Sequence, residues 1–112
     1  RIYSVNWFRR DADGNFMWPG FGDNSRVLEW IVRRREGEAG AVDTPIGRLP
    51  ITSELDLDGV EVTPQAVEEL FAIDTDSWRA EADLTEEYFA QFGDRVPQAL
   101  RGELAELRDR LS

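Results

Sequence analysis

Hydrophobic and polar positions along this chain change rhythm several times, and each rhythm predicts an element. The opening run Ile2-Tyr3-Ser4-Val5-Asn6-Trp7-Phe8 alternates and predicts a strand. Arg10 to Asn15 carries Asp and Gly where turns favour them. Phe16 to Gly22 is aromatic and follows no regular period. A helix is predicted from about Asn24 to Glu36, with Val27, Leu28 and Ile31 beside Trp30 as its buried stripe, Asp23 or Asn24 as its cap and Gly37 as its stop. Glu38 to Gly59 reads mostly as connection, with short extended pieces around Arg48–Ile51. Thr63-Pro64 is a cap-then-proline signal for a short helix that buries Val67, Leu70 and Phe71. A longer helix follows from about Thr75 to Phe92, with Trp78, Ala82, Thr85, Phe89 and Phe92 on one face and Gly93 at its end. The last helix starts at Pro97 and repeats Leu100, Leu104, Leu107 and Leu111. These last two stripes are expected to pack on each other or on surfaces beyond this chain. The predicted fold class is α+β and mainly helical: a short N-terminal strand and an aromatic loop, then about four helices.

Composition narrows the chemistry. At 112 residues, 41% hydrophobic and 32% charged, the chain has the makeup of one small globular domain. It contains no cysteine and no histidine, which removes disulfides, thiolate metal sites and the commonest general base. All thirteen basic residues are arginine, so a lysine nucleophile or phosphate-cradling lysine is excluded within it, and a GC-rich bacterial genome is suggested. No apolar run is long enough for a membrane span and no signal-peptide pattern opens the chain, so the expected setting is cytoplasmic, away from the membrane. The formal charge of −10 is uneven: residues 1–48 hold eight arginines and seven acids, residues 49–112 five arginines and sixteen acids. The acidic half would repel a polyanion, which argues against nucleic-acid binding. The near-neutral first half is the part that could face a nucleotide. The chain also opens without methionine, directly on a strand pattern, which reads as truncation.

The residues richest in chemistry lie in Val5–Asn24, VNWFRRDADGNFMWPGFGDN. Trp7, Phe8, Phe16, Trp18 and Phe21 are interleaved there with Gly14, Pro19, Gly20 and Gly22. Glycine permits sharp turns and proline stiffens them, so flat rings can be set around a slot for another planar group, such as a nucleobase. The residues alone leave two readings open: a base-binding slot, or an ordinary aromatic core.

The runs Asn6-Trp7-Phe8-Arg9 and Phe16-Met17-Trp18-Pro19-Gly20-Phe21-Gly22-Asp23-Asn24-Ser25-Arg26-Val27-Leu28, with Thr44-Pro45-Ile46-Gly47 later, resemble the GTP-dependent phosphoenolpyruvate carboxykinase family. The resemblance covers most of residues 2–50. It is weaker over 51–112, where only spaced residues such as Leu70-Phe71 and Trp78 match. It implies that the chain is a piece of the family's larger α/β C-terminal domain, with residues 1–50 as a guanine-pocket segment and 51–112 as an acidic helical segment. The implied activity of the whole enzyme is conversion of oxaloacetate and GTP to phosphoenolpyruvate, GDP and CO₂, a lyase and kinase step of gluconeogenesis using Mn²⁺ or Mg²⁺. The implied guanine contacts are Phe16 and Phe21 clamping the base, Phe8 lining its edge and Asn24 reading that edge with its amide. The P-loop, metal ligands and substrate arginines of the family would lie upstream, in a missing N-terminal part of the enzyme. No catalytic residue and no metal ligand is therefore assigned within the chain. Asp23 departs from the family's glutamate and is expected to cap a helix. Trp7 and Trp18 are expected to be core, and Arg9 and Arg10 solvated rather than phosphate-bound. Arg33-Arg34-Arg35 complements a helix C-terminus.

Three function classes remain at this point: the guanine-binding end of a carboxykinase, a free-standing nucleotide-binding module, and a helical protein-interaction domain whose aromatics are core. On the first, the isolated chain is expected to be inactive. An unpaired N-terminal strand and exposed aromatics would also favour its self-association.

Overall fold

The structure, a computed structural model, describes residues 2–112. Its elements in order are α1 (Asn24–Glu36), the strands β1 (Ala41–Thr44) and β2 (Gly47–Pro50), α2 (Pro64–Phe71), α3 (Thr75–Ala90) and α4 (Gln98–Leu111), with single 3-10 turns at Phe21–Asp23, Thr52–Glu54 and Gly93–Arg95. The expected mainly helical α+β fold, with four helices, is borne out. The sheet is a two-stranded antiparallel pair. The chain divides into two compact units, one made of the residues up to Asp43 together with Arg48–Ala72, the other of Thr44–Gly47 with Ile73–Ser112.

The strand expected over Ile2–Phe8 does not form. A strand needs a neighbouring ladder of backbone partners, and this run has none among the described residues. Its alternation is not buried either: Ile2 is 99% exposed. Instead two rings four residues apart turn inward. Tyr3 meets Trp30 edge to face, with ring centroids 6.3 Å apart, and Trp7 leans on Trp18 at 6.2 Å. The strands lie in the stretch read as connection, where Thr44-Pro45-Ile46-Gly47 closes a hairpin and the Thr44 hydroxyl donates to the Gly47 carbonyl. Only the extended piece expected near Arg48–Ile51 falls on one of them, β2.

In the first unit α1 ends where predicted. Gly37 is left-handed at φ 83°, and Glu38 N–H reaches back to the Arg33 carbonyl at 2.9 Å. The buried face differs from the expected stripe. Trp30 is its centre, packed with Ala39 and Leu55 and flanked by Tyr3, Ile31, Ala41, Leu57 and Phe71, whereas Leu28 is exposed. Gly40 is held by close approach: a Cβ there would lie 2.7 Å from Ile51 Cδ1, and its N–H donates to the Glu54 carboxylate. α2 starts as expected, with Thr63 Oγ1 accepting from Ala66 N–H at 3.1 Å, and it buries Val67.

In the second unit α3 packs on α4. Arg79, near the start of α3, donates to the carbonyl of Leu111 at the end of α4, so the two helices run antiparallel. Ala82 and Leu111 are the most buried side chains of the interface stripes, each 1% exposed. Arg108 bridges to Asp83 at 2.6 Å and Glu86 at 2.8 Å, and those acidic hydrogen bonds hold its guanidinium above the usual arginine range. Asp74 caps α3 by accepting from Asp76 and Ser77 N–H.

Candidate functional site

The aromatic segment is built on a tight reversal between Phe8 and Phe16. Asp11 organises it. Its Oδ1 accepts from the backbone N–H of Asn15 at 2.8 Å and of Asp13 at 3.0 Å, and Gly14 N–H returns to the Asp11 carbonyl at 3.0 Å. The Asn15 backbone N–H, with the other donors, holds the Asp11 carboxyl below the usual carboxylate range. The arms are joined by Met17 N–H to Arg9 carbonyl at 2.9 Å and by an antiparallel bridge between Arg10 and Phe16.

That reversal sets Phe8 against Phe16, ring centroids 6.0 Å apart and edge to face. Both rings are solvent-facing, at 72% and 52% exposure. Arg10 lays its guanidinium over one face of Phe16, 4.1 Å from the ring centroid. Arg9 is not solvated as expected: its Nη1 donates to the carbonyls of Leu70 at 2.6 Å and Ala72 at 3.2 Å, the last turn of α2. It thereby pins the base of the loop to a helix C-terminus, where a cation is favoured.

Phe21 stands apart from that pair. Gly20, at φ 137°, turns the chain through a conformation side chains rarely adopt and leads into the 3-10 turn that carries Phe21. The ring is 92% exposed. Asn24 opens α1 one turn later, and its side chain does not cap the helix. Its Oδ1 accepts from Trp18 Nε1 at 2.8 Å. Asp23 sits at the cap position but makes no cap bond; its carboxylate pairs with Arg26 Nε at 3.2 Å, and Arg26 also reaches Asp56. The arginine wins because it can approach the carboxylate from within the same turn. Trp18 is 6% exposed and Trp7 half-buried, so both are packing residues as expected. Of the four expected site residues, then, Phe8 and Phe16 touch, while Phe21 and Asn24 lie on the next turn. The link from Trp18 to Asn24 was not foreseen.

Comparison with known proteins gives a consistent result. The family model described as phosphoenolpyruvate carboxykinase C-terminal P-loop domain matches residues 1–110. A phosphoenolpyruvate carboxykinase (GTP) of Arthrobacter sp. (strain FB24) is 51% identical over 111 residues, 99% of this chain and 18% of that protein. The protein of the same name from Paenarthrobacter aurescens (strain TC1) is 50% identical over 111 residues. That from Treponema pallidum (strain Nichols) is 48% identical over 113 residues, 100% of this chain and 18% of the relative. The chain thus spans about 18% of the length of these relatives.

Proposed function

The chain belongs to the GTP-dependent phosphoenolpyruvate carboxykinase family, and on that premise we propose that it supplies the guanine-binding end of the nucleotide site in such an enzyme. The reaction is conversion of oxaloacetate and GTP to phosphoenolpyruvate, GDP and CO₂, in the cytoplasm and in the service of gluconeogenesis. Phe16 and Phe21 stack on the base, Phe8 lines its edge and Asn24 reads that edge. Residues 1–50 form the pocket segment and 51–112 the acidic helical segment.

The observation that carries this reading is the exposure of Phe8, Phe16 and Phe21 on one turn-rich segment in which Trp18 is buried. Rings that served only as core would be covered, which counts against an interaction domain with core aromatics. Arg10 over one face of Phe16 and Phe8 against it edge to face hold that exposed ring in place as a stacking platform. A stacked base gains roughly 1–3 kcal/mol per ring, but stacking does not tell guanine from adenine; an amide at the base edge can. The resemblance puts the phosphate cradle and the Mn²⁺ or Mg²⁺ ligands in other parts of the enzyme, and the chain has no lysine to cradle a phosphate, so the isolated chain is inactive.

In the full-length enzyme Phe21→Ala should raise the barrier with GTP by about 1–3 kcal/mol, read as kcat/KM. Asn24→Ala should erode the preference for GTP over ATP. Nucleotide kinetics unchanged in both variants would remove the assignment.

A further inference from the structure

Resting on the guanine reading above, we propose that Trp18 is a positioning residue that sets the orientation of the Asn24 amide and so decides which purine the site accepts.

An asparagine amide is ambidextrous. One end accepts hydrogen bonds, the other donates, and a half-turn about its last bond exchanges them. Guanine and adenine differ in the same sense at their six-position: guanine presents the O6 acceptor, adenine an N6 amino donor. A freely turning Asn24 could therefore serve either base.

The structure removes that freedom. Trp18 Nε1 is a donor and nothing else, and it lies 2.8 Å from the Asn24 side chain. The atom facing it must be the carbonyl oxygen. Flipping the amide would set two donors against each other beside a buried ring, where an unmatched N–H is costly. The ring cannot yield readily either: Trp18 is buried, leans on Trp7, and follows Met17, whose N–H is tied to the Arg9 carbonyl. With Oδ1 occupied, the Nδ2 amino group carries no hydrogen bond to any described residue. Oδ1 keeps a second lone pair but is turned to the buried indole, so the end of the amide directed elsewhere is a donor, which matches O6 and opposes the N6 amino group. Guanine selectivity is then a property of the pair, with the buried indole fixing the sign.

The experiment compares kcat/KM for GTP and ATP in the full-length enzyme carrying this chain, for wild type, Trp18→Phe, Asn24→Ala and Asn24→Asp. Trp18→Phe keeps an aromatic ring but removes the N–H. The GTP-to-ATP ratio should fall by about tenfold, the scale of one hydrogen bond, with ATP use rising as GTP use drops. Asn24→Asp leaves the indole bond intact and removes the donor. It should lower the ratio at least as far without touching the buried ring, which guards against a folding defect in Trp18→Phe. An equal loss on both nucleotides in Trp18→Phe, or a wild-type ratio there while Asn24→Ala lowers it, would overturn the role of Trp18 and leave the guanine reading standing. A wild-type ratio in Asn24→Asp would overturn the proposal as well. A wild-type ratio in Asn24→Ala would show instead that the guanine reading itself is wrong.

Discussion

Four leucines in α4 look equivalent in the sequence, spaced four, three and four apart, yet their surroundings grade them steeply. Leu111 is buried, Leu104 and Leu107 are half-covered and Leu100 is exposed. Truncating Leu111 to Ala should therefore cost about 2–5 kcal/mol of stability. Leu100→Ala should stay within about 0.5 kcal/mol, both read by urea unfolding of the chain. Equal losses would show that the stripe is buried evenly. Periodicity identifies a face, but how deeply each position sinks depends on what lies opposite, and that is set by tertiary packing. The same limit applies to Leu28, placed on the buried stripe by spacing yet exposed, and to Trp30, which centres the core beside it. At the site, Phe8, Phe16 and Phe21 were legible as a group through the match of Asn6–Arg9 and Phe16–Leu28 to the family, whereas the residues alone left both a base slot and a core open. The bond from Trp18 to Asn24 was not legible, since it depends on the angle at which α1 leaves the preceding turn.

Element ends were read better than strands because caps are local chemistry. Thr63 and Gly37 mark boundaries where expected, while α3 ends at Ala90, two residues before the expected Phe92, and Gly93 opens a 3-10 turn. Ile2–Phe8 alternates correctly but has no ladder to join among the described residues, while β1, in a stretch read as connection, pairs with β2 across only two residues. The cap of α3 makes a pH prediction. Asp74 accepts from the Ser77 hydroxyl and from two backbone N–H groups, and these hold its carboxyl below the usual carboxylate range, the Ser77 hydroxyl most of all. A depressed folded value means that the stabilisation is fully present above the ordinary aspartate value. It fades as pH falls through the lower folded one. Below about pH 4 the chain should lose stability faster than Asp74→Asn, which keeps a capping side chain without a titrating proton. Parallel acid-melting curves for the two would show that the Asp74 carboxylate contributes nothing there.

For the whole molecule, the exposed aromatics pose a question of association. Phe8, Phe16 and Phe21 form an apolar surface on a segment whose first residues have no strand partner among the described residues. Such surfaces tend to seek cover. The isolated chain is expected to self-associate through residues 2–22, seen as a sedimentation coefficient that rises with concentration and falls back in Phe21→Ser. A monomer at every concentration would show that the patch is tolerated. The net charge of −10 opposes association, so added salt should promote it.

The grip of Arg9 on the end of α2 also orders events in time. Its partners Leu70 and Ala72 lie 61 and 63 residues further along the chain, and the carbonyls it binds become a receptor only once the last turn of α2 exists. Closing so long a loop is slow compared with winding a helix. The base of the aromatic loop should thus be among the last parts to settle after synthesis and among the first to loosen on warming. Mild heating would then loosen the aromatic loop before the helices melt.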